Sequence, residues 1–180
     1  MINDPGYIAV EHLYNSHKIN YDYLMINQQV SFATDYKSQF SKIMLLACAS
    51  YFESLVTSSI HQMLNPSDCI LTKNFITSKA LSRQYHSLFS WEAKNANQFF
   101  SYFGPDFKSF MDEKVKNDDN LKRSIHDFLE LGYLRNRLAH DNYAMFTLGL
   151  TADDVHAKFL NALIFVSNLT SYCAEYRNTH

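Results

Sequence analysis

The chain has 180 residues, 47% hydrophobic and 15% aromatic but only 19% charged, which excludes a disordered chain and suits one domain with a sizeable core. Four glycines and three prolines are too few turn residues for an all-β sandwich, so long helices are the first expectation. The formal net charge of −2 excludes a strong global pull towards nucleic acid, yet leaves room for a local grip on a few phosphates.

In chain order, a first helix is expected at about Tyr21 to Tyr36, with Leu24, Val30 and Phe32 among its apolar positions. From about Ser38 to Leu64 one seam carries Ile43, Ala47, Leu55 and Met63, and a second carries Leu46, Ala49, Val56, Ile60 and Leu64. A helix apolar on more than one side is normally central. Its longest apolar run, Ile43 to Phe52, is closed by Lys42 and Glu53 and is too short to span a bilayer, so no membrane association is expected. Asn65-Pro66-Ser67-Asp68 ends the helix, because proline cannot continue it.

Residues 69 to 106 are less regular and read as short helices around Trp91 and Phe99-Phe100, closed by Gly104-Pro105. Asp106 is expected to cap a helix from Phe107 towards Val115, followed by a polar loop from Lys116 to Asn120. A helix from about Asp119 to His140 comes next, then a loop through Thr147 to Leu150. Thr151-Ala152-Asp153-Asp154 resembles a capping box with Asp for Glu. The final helix places Val155, Phe159, Ala162, Val166, Leu169, Cys173 and Tyr176 at alternating three- and four-residue steps. The sum is an all-α, single-domain helical bundle over residues 1–180, its core at about 22–178, with a short-helix insertion.

Cys48, Cys69 and Cys173 are an odd set without metal-ligand spacing, and no signal sequence is evident. Reduced thiols in a cytoplasmic protein are the expectation. The histidines outside the last turn before residue 141 are scattered and show no zinc spacing, and no phosphate-binding glycine loop occurs. Neither a metal nor a cofactor is expected.

The helix ending at His140 carries the most chemistry. At about 100° per residue, Leu121, Ile125, Phe128, Leu129, Leu131, Tyr133, Leu134 and Leu138 spread over a wide apolar arc. Arg123, Asp127, Glu130 and Arg137 take the polar side, which makes Arg137 a bystander, and His126 lies near that side as a solvated histidine. Arg135 instead falls inside the apolar arc. A guanidinium there is costly without a partner, so it is either a buried salt bridge that fixes the packing or a phosphate-binding group at a cleft or dimer seam. Asn136 and His140, one helical turn apart, share a face. Imidazole as a group titrates near neutral pH, which makes His140 a candidate for proton transfer, although a histidine at a helix C-terminus also suits the dipole alone.

Glu53 raises the same question on the earlier helix, where it interrupts the seam of Ala49, Val56 and Ile60. It is expected to face the Arg135–His140 region and orient the arginine or the imidazole; the alternative is a solvated edge. Tyr51, Tyr133 and Tyr143 could stack on a base, with core or interface packing as the plainer expectation. Lys114, Lys116, Lys122 and Arg123 form a modest basic group, split by Asp118 and Asp119, that reads as a solvated face able to help guide RNA. Tyr143 and Lys122 are therefore the candidate RNA contacts.

Arg135-Asn136-x-x-x-His140, preceded by Gly132-Tyr133-Leu134 and followed by Asp141, resembles the signature of HEPN domains, the higher-eukaryote and prokaryote nucleotide-binding group. Ala49-Ser50-Tyr51-Phe52-Glu53, the stretch from Trp91 to Phe103-Gly104-Pro105-Asp106-Phe107 and the loop Thr147 to Thr151 resemble its RiboL-PSP-HEPN branch. The resemblance runs from roughly Phe40 onward. It implies a helical bundle that dimerises so that two such motifs face one cleft, as in metal-independent endoribonucleases of toxin–antitoxin, restriction or antiphage systems. On that basis Arg135 and His140 match the principal active-site positions, Asn136 the common polar neighbour, and Glu53 a weaker match by position. The implied reaction is attack of an RNA 2′-hydroxyl on the adjacent phosphate. The implied partners are RNA, a second copy and an antitoxin or regulatory protein. The rival reading is a non-catalytic dimerisation or nucleotide- or RNA-binding module of the same fold in a defence complex.

Overall fold

The computed structural model describes residues 4–64, 69–82 and 84–179, and among these all regular structure is helical. The chain divides into two compact units, Met1–Tyr51 with Leu131–Leu160, and Phe52–Glu130 with Asn161–His180.

In the first unit, α1 (Pro5–Ile26) begins on Asp4, whose Oδ1 accepts the Tyr7 amide at 2.9 Å. Pro5 occupies the first turn, where a missing N–H costs nothing. The helix therefore starts well before the expected Tyr21, and it stops before Tyr36. At its end Gln28 takes φ +56°, while the amides of Gln28 and Gln29 bond to Met25 O (3.1 Å) and Leu24 O (2.9 Å). This is the paired closure usually served by glycine. No glycine or proline marks the break, so the apolar rhythm reads straight through it.

Gly6 lets α1 start hard against the ring of Tyr51, since a Cβ there would lie 2.6 Å from that ring. Further along, the ring of His17 stacks on Phe40 at 4.0 Å, and Tyr14 stacks on His156 at 3.8 Å. His156 Nε2 also lies 2.7 Å from Glu11 Oε1. These contacts fasten α1 to α2 (Val30–Leu64) and to the start of α7 (Ala152–Ser167).

The buried positions of α2 include Phe40, Met44, Leu45, Cys48, Tyr51, Phe52, Val56 and Ile60, whereas Ile43 and Leu46 are exposed. The first expected seam thus runs along exposed and half-buried positions and the second mixes exposed Leu46 with buried Ala49, Val56 and Ile60, because a helix rich in apolar residues all round does not reveal its inner face by pattern. An 18-residue window of α2 has mean hydropathy 1.5, so this helix is long and apolar enough to cross a membrane. Half of that window is buried within the protein, as in a core helix. Counting only the run Ile43 to Phe52 understated this.

In the second unit the expected stop at Asn65–Asp68 lies outside the described residues. Beyond it come α3 (Ile70–Ile76), a π-helical turn (Thr77–Leu81), a 3₁₀ turn (Tyr85–Ser87) and α4 (Asn97–Ser101), in line with the short-helix insertion. α5 (Pro105–Lys116) is capped by Gly104 rather than Asp106. Gly104 has φ +102°, a conformation that side-chain-bearing residues avoid, and Asp106 sits in the first turn, where its charge suits the dipole. The polar loop shrinks to residues 117–118, because Asp118 Oδ1 accepts the amides of Asn120 (2.9 Å) and Leu121 (3.0 Å) and starts α6 (Asp119–His140).

Phe128 of α6 anchors an aromatic cluster, with Phe89 at 4.9 Å and Phe52 and Phe165 each at 5.5 Å. The buried Ser124 hydroxyl accepts the Phe165 amide at 2.7 Å and donates to Ala162 O at 3.3 Å. Asp127, which the wheel put on the solvated side, is buried and accepts from Asn161 Nδ2 at 2.6 Å. A wheel registers one helix only and cannot show a polar partner on the next. The expected single last helix is two, α7 and α8 (Leu169–Thr179), parted at Asn168. Ser167 and Asn168 bond back to Leu163 O and Ile164 O, and such back-bonding weakens a helix there. The capping box is as read: Asp154 Oδ2 accepts the Thr151 amide at 2.9 Å, and the Asp154 amide reaches Thr151 Oγ1 at 3.2 Å.

Candidate functional site

The last turns of α6, all in the first unit, hold Arg135, Asn136 and His140. Arg135 is half-buried, and its Nη1 donates to Asn136 Oδ1 at 3.1 Å. The Asn136 amide oxygen helps fix the direction of the guanidinium. His140 is exposed in the final turn. On the wheel Asn136 lies about 100° from Arg135 and about 40° from His140, with roughly 7.5 Å of axial rise from Arg135 to His140. Asn136 therefore lies between the half-buried cation and the solvent-facing imidazole around the helix.

The chain after His140 is tightly tied. Asp141 N–H closes on Arg137 O at 2.8 Å, and the amides of Met145 and Phe146 both bond to Asn142 O, at 3.0 and 2.9 Å. Arg137 is exposed, as expected, but it has structural work: it pairs with Asp141 at 3.1 Å and lies 5.6 Å from the ring centroid of buried Phe146.

The remaining candidates come from α2, the start of α6 and the segment after it. Tyr143 is 42% exposed, three residues beyond His140. Lys122 is exposed in the first turn of α6, more than three turns before Arg135. Glu53 is half-buried on the part of α2 that belongs to the second unit. Tyr51 is buried, its ring edge-on to Phe159 at 5.8 Å, so packing accounts for it. In the basic group, Lys114 pairs with Glu175 at 2.8 Å and Lys116 approaches Glu113 at 3.8 Å.

Sequence reading missed Lys42. It is only 3% exposed, its Nζ donates to Tyr143 O at 3.0 Å, and the same nitrogen lies 4.8 Å from the centroid of the Tyr143 ring. A lysine with Ser41, Met44 and Leu45 in the inward stripe was the available signal, but it reads as the polar end of an apolar run. Among the described residues, one set of side chains could hold a metal ion: His126, Asp127 and Glu130 offer ligand atoms within 4.8 Å of one another. Asp127 already serves Asn161, and the set lies in the other unit from the motif.

The family model for RiboL-PSP-HEPN matches residues 10–175, which takes in nearly every described helix and the whole motif. The chain belongs to the RiboL-PSP-HEPN family. No curated protein and no solved structure matches it. For this HEPN chain, membership and the all-helical fold agree with the expectations drawn from Arg135-Asn136-x-x-x-His140. A ribonuclease or a nucleotide-binding module is the functional range that membership supports.

Proposed function

We propose that this HEPN domain is a metal-independent endoribonuclease that acts as a homodimer, with the Arg135–His140 ends of two copies lining one cleft. The observation that carries the reading is the half-buried Arg135, held by a neutral Asn136 and followed within two turns by an exposed imidazole. A half-buried guanidinium whose direction is fixed by Asn136 suits a phosphate whose charge grows in the transition state. An exposed imidazole, which can both accept and donate a proton, suits proton transfer.

In the reaction, the 2′-oxygen of RNA bonds to the adjacent phosphorus and its proton passes to one His140. The P–O5′ bond breaks, and the leaving oxygen takes a proton from the imidazolium of the second copy. The products are a 2′,3′-cyclic phosphate and a 5′-hydroxyl. Arg135 neutralises the non-bridging oxygens, and Asn136 amide N–H groups are donors to the same phosphate. Glu53 is the supporting carboxylate, Lys122 a distal guide for the backbone. Three free cysteines suit a reducing cytoplasm, and a toxin or antiphage effector restrained by a protein partner is the fitting role.

The test is incubation of purified protein with tRNA, mixed cellular RNA and DNA in EDTA. RNA should be cut and DNA spared. His140→Ala and Arg135→Ala should each lower the rate by about 10²- to 10⁴-fold, and Glu53→Gln less. Loss of cleavage in EDTA would move the chemistry towards a metal such as His126, Asp127 and Glu130 could hold. RNA binding without cleavage under any condition would favour the non-catalytic module. In cells, a toxic wild type made harmless by His140→Ala is the matching result.

A further inference from the structure

We infer that Lys42 and Tyr143 form a nucleobase-stacking subsite beside the motif, with Lys42 as the positioning residue and the Tyr143 ring as the platform. The inference rests on reading the Arg135–His140 end of α6 as an RNA site, and it adds where an adjacent base is held.

Two contacts from one buried ammonium hold Tyr143. Lys42 Nζ donates to the Tyr143 carbonyl at 3.0 Å and lies over the Tyr143 ring, 4.8 Å from its centroid. Backbone and side chain of the same residue are thus fixed together. The turn around them is closed by the Asn142 carbonyl and by Asn142 Oδ1, which accepts the Ala144 amide at 3.1 Å. Exposed tyrosines in loops ordinarily lose rotamer freedom when a ligand stacks on them; here that ordering is already complete.

The ring nevertheless remains 42% exposed while its lysine is 3% exposed. The cation therefore covers one face from within, and the accessible part of the ring faces solvent. No carboxylate pairs with Lys42 among the described residues. A cation on the inner face draws electron density from the ring, which favours an electron-rich partner on the outer face. An unstacked RNA base has that chemistry, and a purine overlaps the ring more than a pyrimidine. Tyr143 follows His140 by only three residues, so the stacked base neighbours the scissile phosphate.

The experiment uses a 2′-O-methyl RNA octamer, which cannot be cleaved by 2′-hydroxyl attack, and its variants with one abasic position each. Binding is followed by fluorescence anisotropy on the full chain, with melting curves to establish that each variant folds. Tyr143→Ala should weaken binding by about 5- to 100-fold, and Tyr143→Phe should restore it, because the ring and not the hydroxyl stacks. Tyr143→Leu should stay weak. Lys42→Met, which keeps the buried stem, should weaken binding less than Tyr143→Ala. One abasic position should cost the wild type affinity but leave Tyr143→Ala unchanged. Equal binding by the Leu and Phe variants, or an abasic penalty undiminished in Tyr143→Ala, overturns the subsite. These readouts need no cleavage, so failure of the nuclease reading and failure of the subsite are told apart. If the protein also cuts RNA, the Tyr143→Ala loss should fall in KM rather than kcat.

Discussion

Arg135 and Asn136 restrict each other: the guanidinium gains a fixed direction, and the amide loses the freedom to rotate. A flat, five-donor cation can answer Asn136 and still present a fork to phosphate, whereas an ammonium is a single point charge. Arg135→Lys is therefore not conservative. It should lower RNA cleavage by about tenfold or more, while Asn136→Ala, which removes one partner of the guanidinium but leaves the guanidinium in place, should lose less. Rates for both against a common substrate check the order; equal loss in the two variants would mean that Asn136 has a role of its own. The motif residues were legible because they lie on one helix, where spacing fixes direction. Lys42 was not, because its meaning comes from a tyrosine carbonyl 101 residues away. Asp127 was misread for the same reason, since Asn161 sits on another helix.

At the scale of elements, the starts of α6 and α7 are where sequence marked them, α5 is capped by Gly104 and not by Asp106, and the unmarked α1–α2 break was lost. Thr151 with Asp154 identified the start of α7, and α6 begins and ends where its pattern does. The α1–α2 break has no such marker, because Gln28 fills a left-handed position that costs a side-chain-bearing residue about 1–2 kcal/mol. Gln28→Gly should accordingly raise stability, by about 0.5–1 kcal/mol once the added freedom of the unfolded chain is offset. Urea denaturation measures it, and a lower midpoint in the variant would contradict the assignment of strain. The contact of α1 with α2 also carries a pH dependence. His17 is buried with Nδ1 unpartnered, and burial pushes its pKa below the ordinary 6.5, with Lys37 adding to the fall and Asp153 opposing it. Below pH 6.5 the unfolded chain takes up a proton that folded His17 refuses, so stability falls with pH until the depressed folded pKa is passed. His17→Phe keeps a ring on Phe40 and should flatten that part of the melting-temperature profile between pH 7 and 5. An unchanged slope would assign the pH dependence to other groups.

For the whole molecule, the central question is how one histidine per motif performs both proton transfers. Two copies answer it. A composite cleft also makes a demand that a self-sufficient chain does not. Wild type mixed with His140→Ala should lose more rate than dilution accounts for, because a mixed dimer holds one His140 where the two proton transfers need two. Only dimers of two wild-type chains keep both imidazoles, so the rate should fall with the square of the wild-type fraction rather than in proportion to it. Exchange must be allowed before assay, by dilution below the dissociation constant or by co-expression. Light scattering should give twice the 20.9 kDa chain mass at concentrations where the rate per chain is constant. Full activity in a demonstrably monomeric sample, or a rate that falls only in proportion to the wild-type fraction, would refute the shared cleft. The Arg135 and His140 losses would then have to be explained within a single chain. In that case a single imidazole would have to exchange its proton between attack and departure, and the rate should depend on one histidine ionisation. A cleft shared by two copies instead needs one imidazole neutral and the other protonated, which gives a bell-shaped pH–rate profile.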